Sequence, residues 1–188
     1  MLVIDTAIPE VKIIEPQVYE DNRGYFYESF SDEWFRKNVC ETTFIQDNQS
    51  YSKGGVLRGL HYQLPPYAQS KLVRVARGVV LDVAVDIRVG SPTFGKHVST
   101  ILSDTNHRQL FIPRGFAHGF VVLSDEAVFQ YKVDNEYAPE CAYTIRYDDP
   151  NLGINWMLSD HRMIISENDW KAPTMWNNLF DYNENLYN

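Results

Sequence analysis

Short stretches of alternating or β-branched residues run through the chain. The clearest spans residues 79–87, where Val79, Leu81, Val83, Val85 and Ile87 fall on one face and Asp82 and Asp86 on the other. Residues 11–14, 25–30, 71–75 and 128–133 are further segments rich in β-branched or aromatic side chains, and each reads as a strand. Turn chemistry separates them at Asp21-Asn22-Arg23-Gly24, Lys53-Gly54-Gly55, Val89-Gly90-Ser91-Pro92 and Ala138-Pro139. Many short strands with closely spaced turns predict an all-β sandwich or barrel. Helix is scarce. Ser31 offers an N-cap, Asp32 and Glu33 fill a first turn and Arg36 and Lys37 a last one, which suits about two turns of helix. A second short helical or irregular stretch is expected near residues 159–163.

Composition sharpens this picture without changing it. The chain has 188 residues, 44% of them hydrophobic and 14% aromatic, which supports one globular domain spanning 1–188. The end, 174–188, carries too many aromatics for a solvated tail and is expected to pack on the domain or on a partner subunit. Seventeen Lys and Arg against 25 Asp and Glu leave a net charge of −8, which argues against a nucleic-acid partner. A few arginines in a cleft can still hold an anion against that global sign. No run approaches the roughly 18 apolar residues of a membrane span, and Met1-Leu2-Val3-Ile4-Asp5 has no basic leader pattern, so a cytoplasmic protein is expected. Cys40 and Cys141 show no metal or disulfide spacing and fit two reduced thiols.

Polar groups concentrate in two places. On a regular strand, the run Leu57-Arg58-Gly59-Leu60-His61-Tyr62-Gln63 puts Arg58, Leu60 and Tyr62 on one face and His61 and Gln63 on the other. The second place, Pro113-Arg114-Gly115-Phe116-Ala117-His118, reads as a turn opening into a strand that carries a histidine. A lone strand histidine is more often a packed or surface residue than a catalyst. Together, however, the two runs resemble the paired motifs of cupins, double-stranded β-helix or jelly-roll domains. The first lacks the second His and the Glu of metal-binding cupins, and two histidines fall short of a metal ligand set. No metal and no other cofactor is expected.

A narrower resemblance covers nearly the whole chain, to about Pro173. Asn22-Arg23-Gly24-Tyr25-Phe26, Gln46-Asp47-Asn48-Gln49-Ser50, Arg58-Gly59-Leu60-His61, Lys71-Leu72-Val73-Arg74, Gly115-Phe116-Ala117-His118-Gly119 and Glu167-Asn168-Asp169 occur in order. In that order they resemble the dTDP-4-dehydrorhamnose 3,5-epimerases. The resemblance implies epimerisation of a dTDP-4-keto-6-deoxyhexose at the carbons acidified by its C4 ketone. It implies that His61 is the base, Asp169 the carboxylate orienting it, Lys71 the cation at the C4 oxygen and Tyr131 the proton donor. Arg23 and Arg58 match diphosphate-side arginines, and Tyr137 a residue stacking on thymine. Phe26, Glu28, Gln46, Asp47, Asn48 and His118 fall on substrate-binding positions. Relatives form homodimers through N-terminal strands, and a homodimer is expected here. Asn168 stands where many relatives have Lys, and Ala142 where some have Glu, both at the nucleotide end. Single-site epimerases share the catalytic set, and a non-catalytic sugar-binding cupin is the reading from another class.

Overall fold

A computed structural model describes residues 1–175 and the backbone of 180–181. In chain order the elements begin with β1 (Leu2–Asp5), β2 (Lys12–Glu15), β3 (Tyr19–Asp21), β4 (Gly24–Phe26), α1 (Asp32–Asn38), β5 (Gln46–Lys53) and β6 (Val56–Gln63). They continue with β7 (Lys71–Arg77), β8 (Val79–Asp86), β9 (Arg88–Val89), β10 (His97–Ser103), β11 (Gln109–Ile112) and β12 (Phe116–Val122). Last come β13 (Glu126–Val133), β14 (Ala142–Thr144), β15 (Ile164–Ile165), α2 (Glu167–Trp170) and β16 (Phe180–Asp181).

Two sheets face each other. One has the order β1-β2-β11-β7-β13-β5 and the other β10-β8-β12-β6-β14, with β15 added in parallel to β6. This is the expected all-β, cupin-like jelly roll with few short helices. Side chains alternate across each strand, so each sheet has an inner and an outer face. Val73, Val75, Leu110 and Phe129 of the first sheet meet Val80, Ala84, Leu102 and Phe120 of the second, and this inner layer is the main core. The outer face of the second sheet is covered as well: Leu81, Val83, Val85 and Val121 pack under Ile145, Tyr147, Trp156 and Met175. On the first sheet, Phe35 of α1 covers Ile14, Leu72 and Phe111.

That double covering explains the long apolar run at residues 79–87. The predicted alternation in β8 is present, but the face carrying Asp82 and Asp86 is the closed interior, where both carboxylates are fully buried. Asp86 is satisfied there by Arg88, Ser91 and Thr93.

The predicted first helix forms, with the Ser31 hydroxyl accepting from the Trp34 amide. The stretch near 159–163 becomes one turn of 3-10 helix, Asp160–Arg162. The expected strand over 25–30 is shorter. Only Gly24–Phe26 pairs, as a hairpin with β3, while Phe30 leaves it to pack on Phe35 and Phe44. Of the tail expected to pack, Met175 is buried, and its amide donates to Asp149. The backbone of β16 pairs in parallel with β9; the rest of 176–188 lies outside the described residues.

Candidate active site

The inner face opens at one end of the barrel into a cleft of about 610 Å³. Its position follows from an irregularity in β6. His61 pairs with His118 across to β12 and Arg58 pairs with Phe120, so three steps on β6 match two on β12. One extra residue in one strand reverses the alternation beyond it. The regular-strand expectation therefore fails here: Arg58 and His61 share the inner face, while Leu57, Leu60 and Tyr62 join the outer core.

His61 stands half-exposed in the cleft, with its Nε2 2.7 Å from Oδ1 of buried Asp169. An ionised carboxylate only accepts, so Nε2 carries the proton and Nδ1 is left to take one. Asp169 is delivered by α2, a single turn capped by Ser166, whose hydroxyl accepts from the Asp169 amide. Burial alone would raise the Asp169 pKa. The hydrogen bond and charge of His61, with bonds from Ser166 and Gly59, outweigh burial and hold it below the usual carboxylate range.

Lys71 opens β7 on the inner face, and desolvation pushes its ammonium down to about 8, partly resisted by the charge of Asp82. It stays charged at neutral pH but becomes a much better proton donor than a surface lysine. Tyr131 comes from β13, and burial pushes its phenol up, which keeps it protonated, with Arg58 pulling the other way. Arg58 is held by its Nε donating to the hydroxyl of buried Ser52 at 3.1 Å. Phe120 and Phe129 stack at 4.1 Å between centroids and line the cleft.

Of the residues expected at the site, His61, Asp169, Lys71, Tyr131, Arg58, His118 and Tyr137 line this one cleft. The others do not reach it within one chain. Gln46 and Asn48, bonded to each other at 2.8 Å, lie on the same face of β5 as the cleft residue Ser50, further toward the strand's start. Asp47 points to the outer face, where it accepts from Lys132. Arg23 and Phe26 sit on the exposed β3–β4 hairpin, Arg23 paired with Asp21, and exposed Glu28 follows it.

Two residues escaped the sequence reading. Asp82 was visible only as an acid among β-branched residues; in the fold both its oxygens lie within 3.1 Å of His118 Nε2. Gln63 donates to the carbonyls of Tyr67 and Glu136 and accepts from the Ala138 amide, bracketing Tyr137 on both sides. Among the described residues no group of three or more His, Cys, Asp or Glu is arranged to hold a metal ion.

Comparison with known proteins converges on one family. The profile described as dTDP-4-dehydrorhamnose 3,5-epimerase matches residues 5–177. The enzyme of that name from Salmonella typhimurium is 54% identical over 176 residues, covering 93% of this chain and 96% of its own. Its namesake from Neisseria gonorrhoeae is 54% identical over 158 residues, covering 84% of this chain and 48% of the longer relative. The crystal structure of the Legionella pneumophila 3,5-epimerase in complex with dTDP-4-keto-L-rhamnose superposes with a TM-score of 0.93 at 48% identity, covering 97% of this chain and 99% of that one.

Proposed function

The chain belongs to the dTDP-4-dehydrorhamnose 3,5-epimerase family and is an isomerase of that kind; we propose that the cleft carries its chemistry through the residues below. The reaction converts dTDP-4-dehydro-6-deoxy-D-glucose to dTDP-4-dehydro-L-rhamnose by inverting C3 and C5. The C4 ketone acidifies both carbons, and each inversion needs a base, a stabiliser of the enolate and an acid on the opposite face.

His61 is the base, taking a carbon-bound proton at Nδ1 while Asp169 holds Nε2 and stabilises the imidazolium that forms. Lys71 supplies positive charge to the developing enolate oxygen, in a site dry enough to depress its own pKa. Tyr131, kept protonated by burial, gives its own phenolic proton to the opposite face, and solvent then takes the proton from His61 and restores the phenol. Arg58 takes the diphosphate with a planar fork that Ser52 helps to aim, and exposed Tyr137 offers a face to the thymine. His118 supports the sugar end of the cleft. The observation that carries this reading is the His61–Asp169 pair opening into a cleft that also holds Lys71 and Tyr131.

Arg23, Phe26 and Glu28 serve the cleft of a second copy in a homodimer, with Gln46, Asp47 and Asn48 near the junction. Supporting this, the β3–β4 hairpin is exposed throughout, with Phe26 at 70% and Tyr19 at 63%. A cytoplasmic setting suits Cys40 and Cys141, neither of which is in a disulfide. No helix among the described residues is long and apolar enough to cross a membrane.

Deuterium exchange tests the assignments. In deuterated water Tyr131→Phe should still wash label into C3 or C5 through His61 but invert slowly. His61→Ala should lose exchange and inversion together, by at least the ~10² of a positioned base. Inversion by Tyr131→Phe at near wild-type rate would remove Tyr131 as the acid, and label confined to one carbon in the native enzyme would mark a single-site epimerase.

A further inference from the structure

Asp82 stands out among the buried groups to which the reaction above gives no work. It sits on the inner face of β8 with no solvent exposure, directly opposite Phe120 and diagonal to His118 on β12. Both of its oxygens address one atom, His118 Nε2, at 3.1 and 3.0 Å. His118 is in turn the cross-strand partner of His61. We propose that Asp82 is a positioning residue for the epimerisation: it fixes His118 as the Nε2–H tautomer and sets a buried negative charge against Lys71. The inference rests on the role given to Lys71 above and extends it to the residue that maintains it.

The electrostatics of the surrounding elements agree. Burial drives His118 toward its neutral form against the pull of Asp82, and the charges of Lys71 and His61 push the same way as burial. A neutral imidazole bonded to a carboxylate must present N–H, so the tautomer is settled by Asp82. With His118 neutral, the Asp82 charge is left to act on Lys71, where it opposes the desolvation of the ammonium. Among the described residues, the other charged or titratable groups lining the cleft are Arg58 and Tyr62 on β6, Tyr131 on β13, Tyr137, Tyr143 on β14 and, behind His61, Asp169 on α2. Arg58 and His61⁺ would both disfavour a charged Lys71, and the Asp169 carboxylate is already committed to His61. Asp82 is thus the carboxylate placed to keep Lys71 protonated when substrate arrives.

Two measurements test this. The first is the pH dependence of Lys71 acylation by trace acetic anhydride, read by mass spectrometry in wild type and in Asp82→Asn, alongside the pH profile of kcat/KM. The Lys71 midpoint should fall by about one unit or more in the variant, with the alkaline limb of kcat/KM falling with it. An unmoved midpoint overturns the proposal even if activity drops, since that is the signature of a purely structural defect. A moved midpoint with an unmoved limb supports Asp82 and instead removes Lys71 from the chemistry. The second needs no variant: nitrogen-15 NMR of the native protein should find His118 protonated at Nε2 at neutral pH. Finding the proton at Nδ1 overturns the proposal.

Discussion

Lys71→Met should make the protein more stable and nearly inactive. The ammonium is desolvated enough to bring its pKa from 10.5 to about 8. A drop of that size corresponds to about 3 kcal/mol of unfavourable free energy carried by the folded state at neutral pH. Methionine has similar length and no charge, so it removes this cost. The drop is already net of the attraction to Asp82, so the gain is at most about 3 kcal/mol. The pH dependence identifies the cause. Below about 8 the lysine is protonated in both states and the cost is fully present. Between about 8 and 10.5 the folded protein has released the proton while the unfolded chain still binds it, so wild-type stability rises with pH relative to the variant. The variant's advantage should shrink through that window and vanish above it. Urea unfolding of both proteins from pH 7 to 10 measures the difference, and steady-state turnover should fall by about 10²–10³ for lack of the enolate's partner. A variant less stable than wild type at pH 7, or an advantage unchanged up to pH 10, would show that Lys71 is not under desolvation strain.

Asp169→Asn should lower kcat by about 10²–10⁴ with little change in fold, because an amide can present the wrong group to Nε2 and cannot stabilise an imidazolium; circular dichroism and turnover read the two effects. Arg58→Lys should raise KM more than it lowers kcat, since a point charge replaces a fork whose grip on phosphate is shared by ground and transition states. Unchanged KM would take Arg58 out of the phosphate site. Light scattering at micromolar concentration should give twice the 21.8 kDa of one chain, and a stable monomer would leave Arg23, Phe26 and Glu28 without a cleft to serve.

Much of the architecture was legible in the residues because period-two alternation reports which face a side chain takes. It placed β8 and its acids correctly, and the Ser31 cap located α1. Alternation reports parity, however, and not what lies beyond each face. Asp82 could therefore be assigned to the polar side of β8 without any sign that this side is the dry interior shared with His118 and Lys71. The pairing of His61 with Asp169 joins residues 108 apart in sequence. No local pattern encodes such a contact, and family resemblance was what brought the two together. The pattern carries the strand at 25 on to residue 30 because Tyr25, Tyr27 and Phe30 look alike as strand formers, whereas pairing ends at Phe26. In the fold, Tyr25 and Tyr27 pack against His107 with tilted rings while Phe30 turns toward α1.

The reversed parity in β6 shows why the Arg-Gly-Leu-His run needs its glycine as much as its histidine. A Cβ at Gly59 would come within 2.5 Å of Gly119 Cα and 2.8 Å of the His118 carbonyl oxygen. A Cβ at Gly119 would in turn meet the Arg58 carbonyl oxygen at 2.7 Å. Gly59 also holds a φ of 131°, a conformation that side-chain-bearing residues rarely adopt. The two glycines let β6 and β12 touch backbone to backbone at the point where the extra residue is absorbed. Without that contact β6 would run on as a regular strand, with Arg58 facing the core beside Leu60 and His61 alone in the cleft. Arg58 and His61 share one face of the cleft because two side chains are missing, and so the glycines shape the site through register.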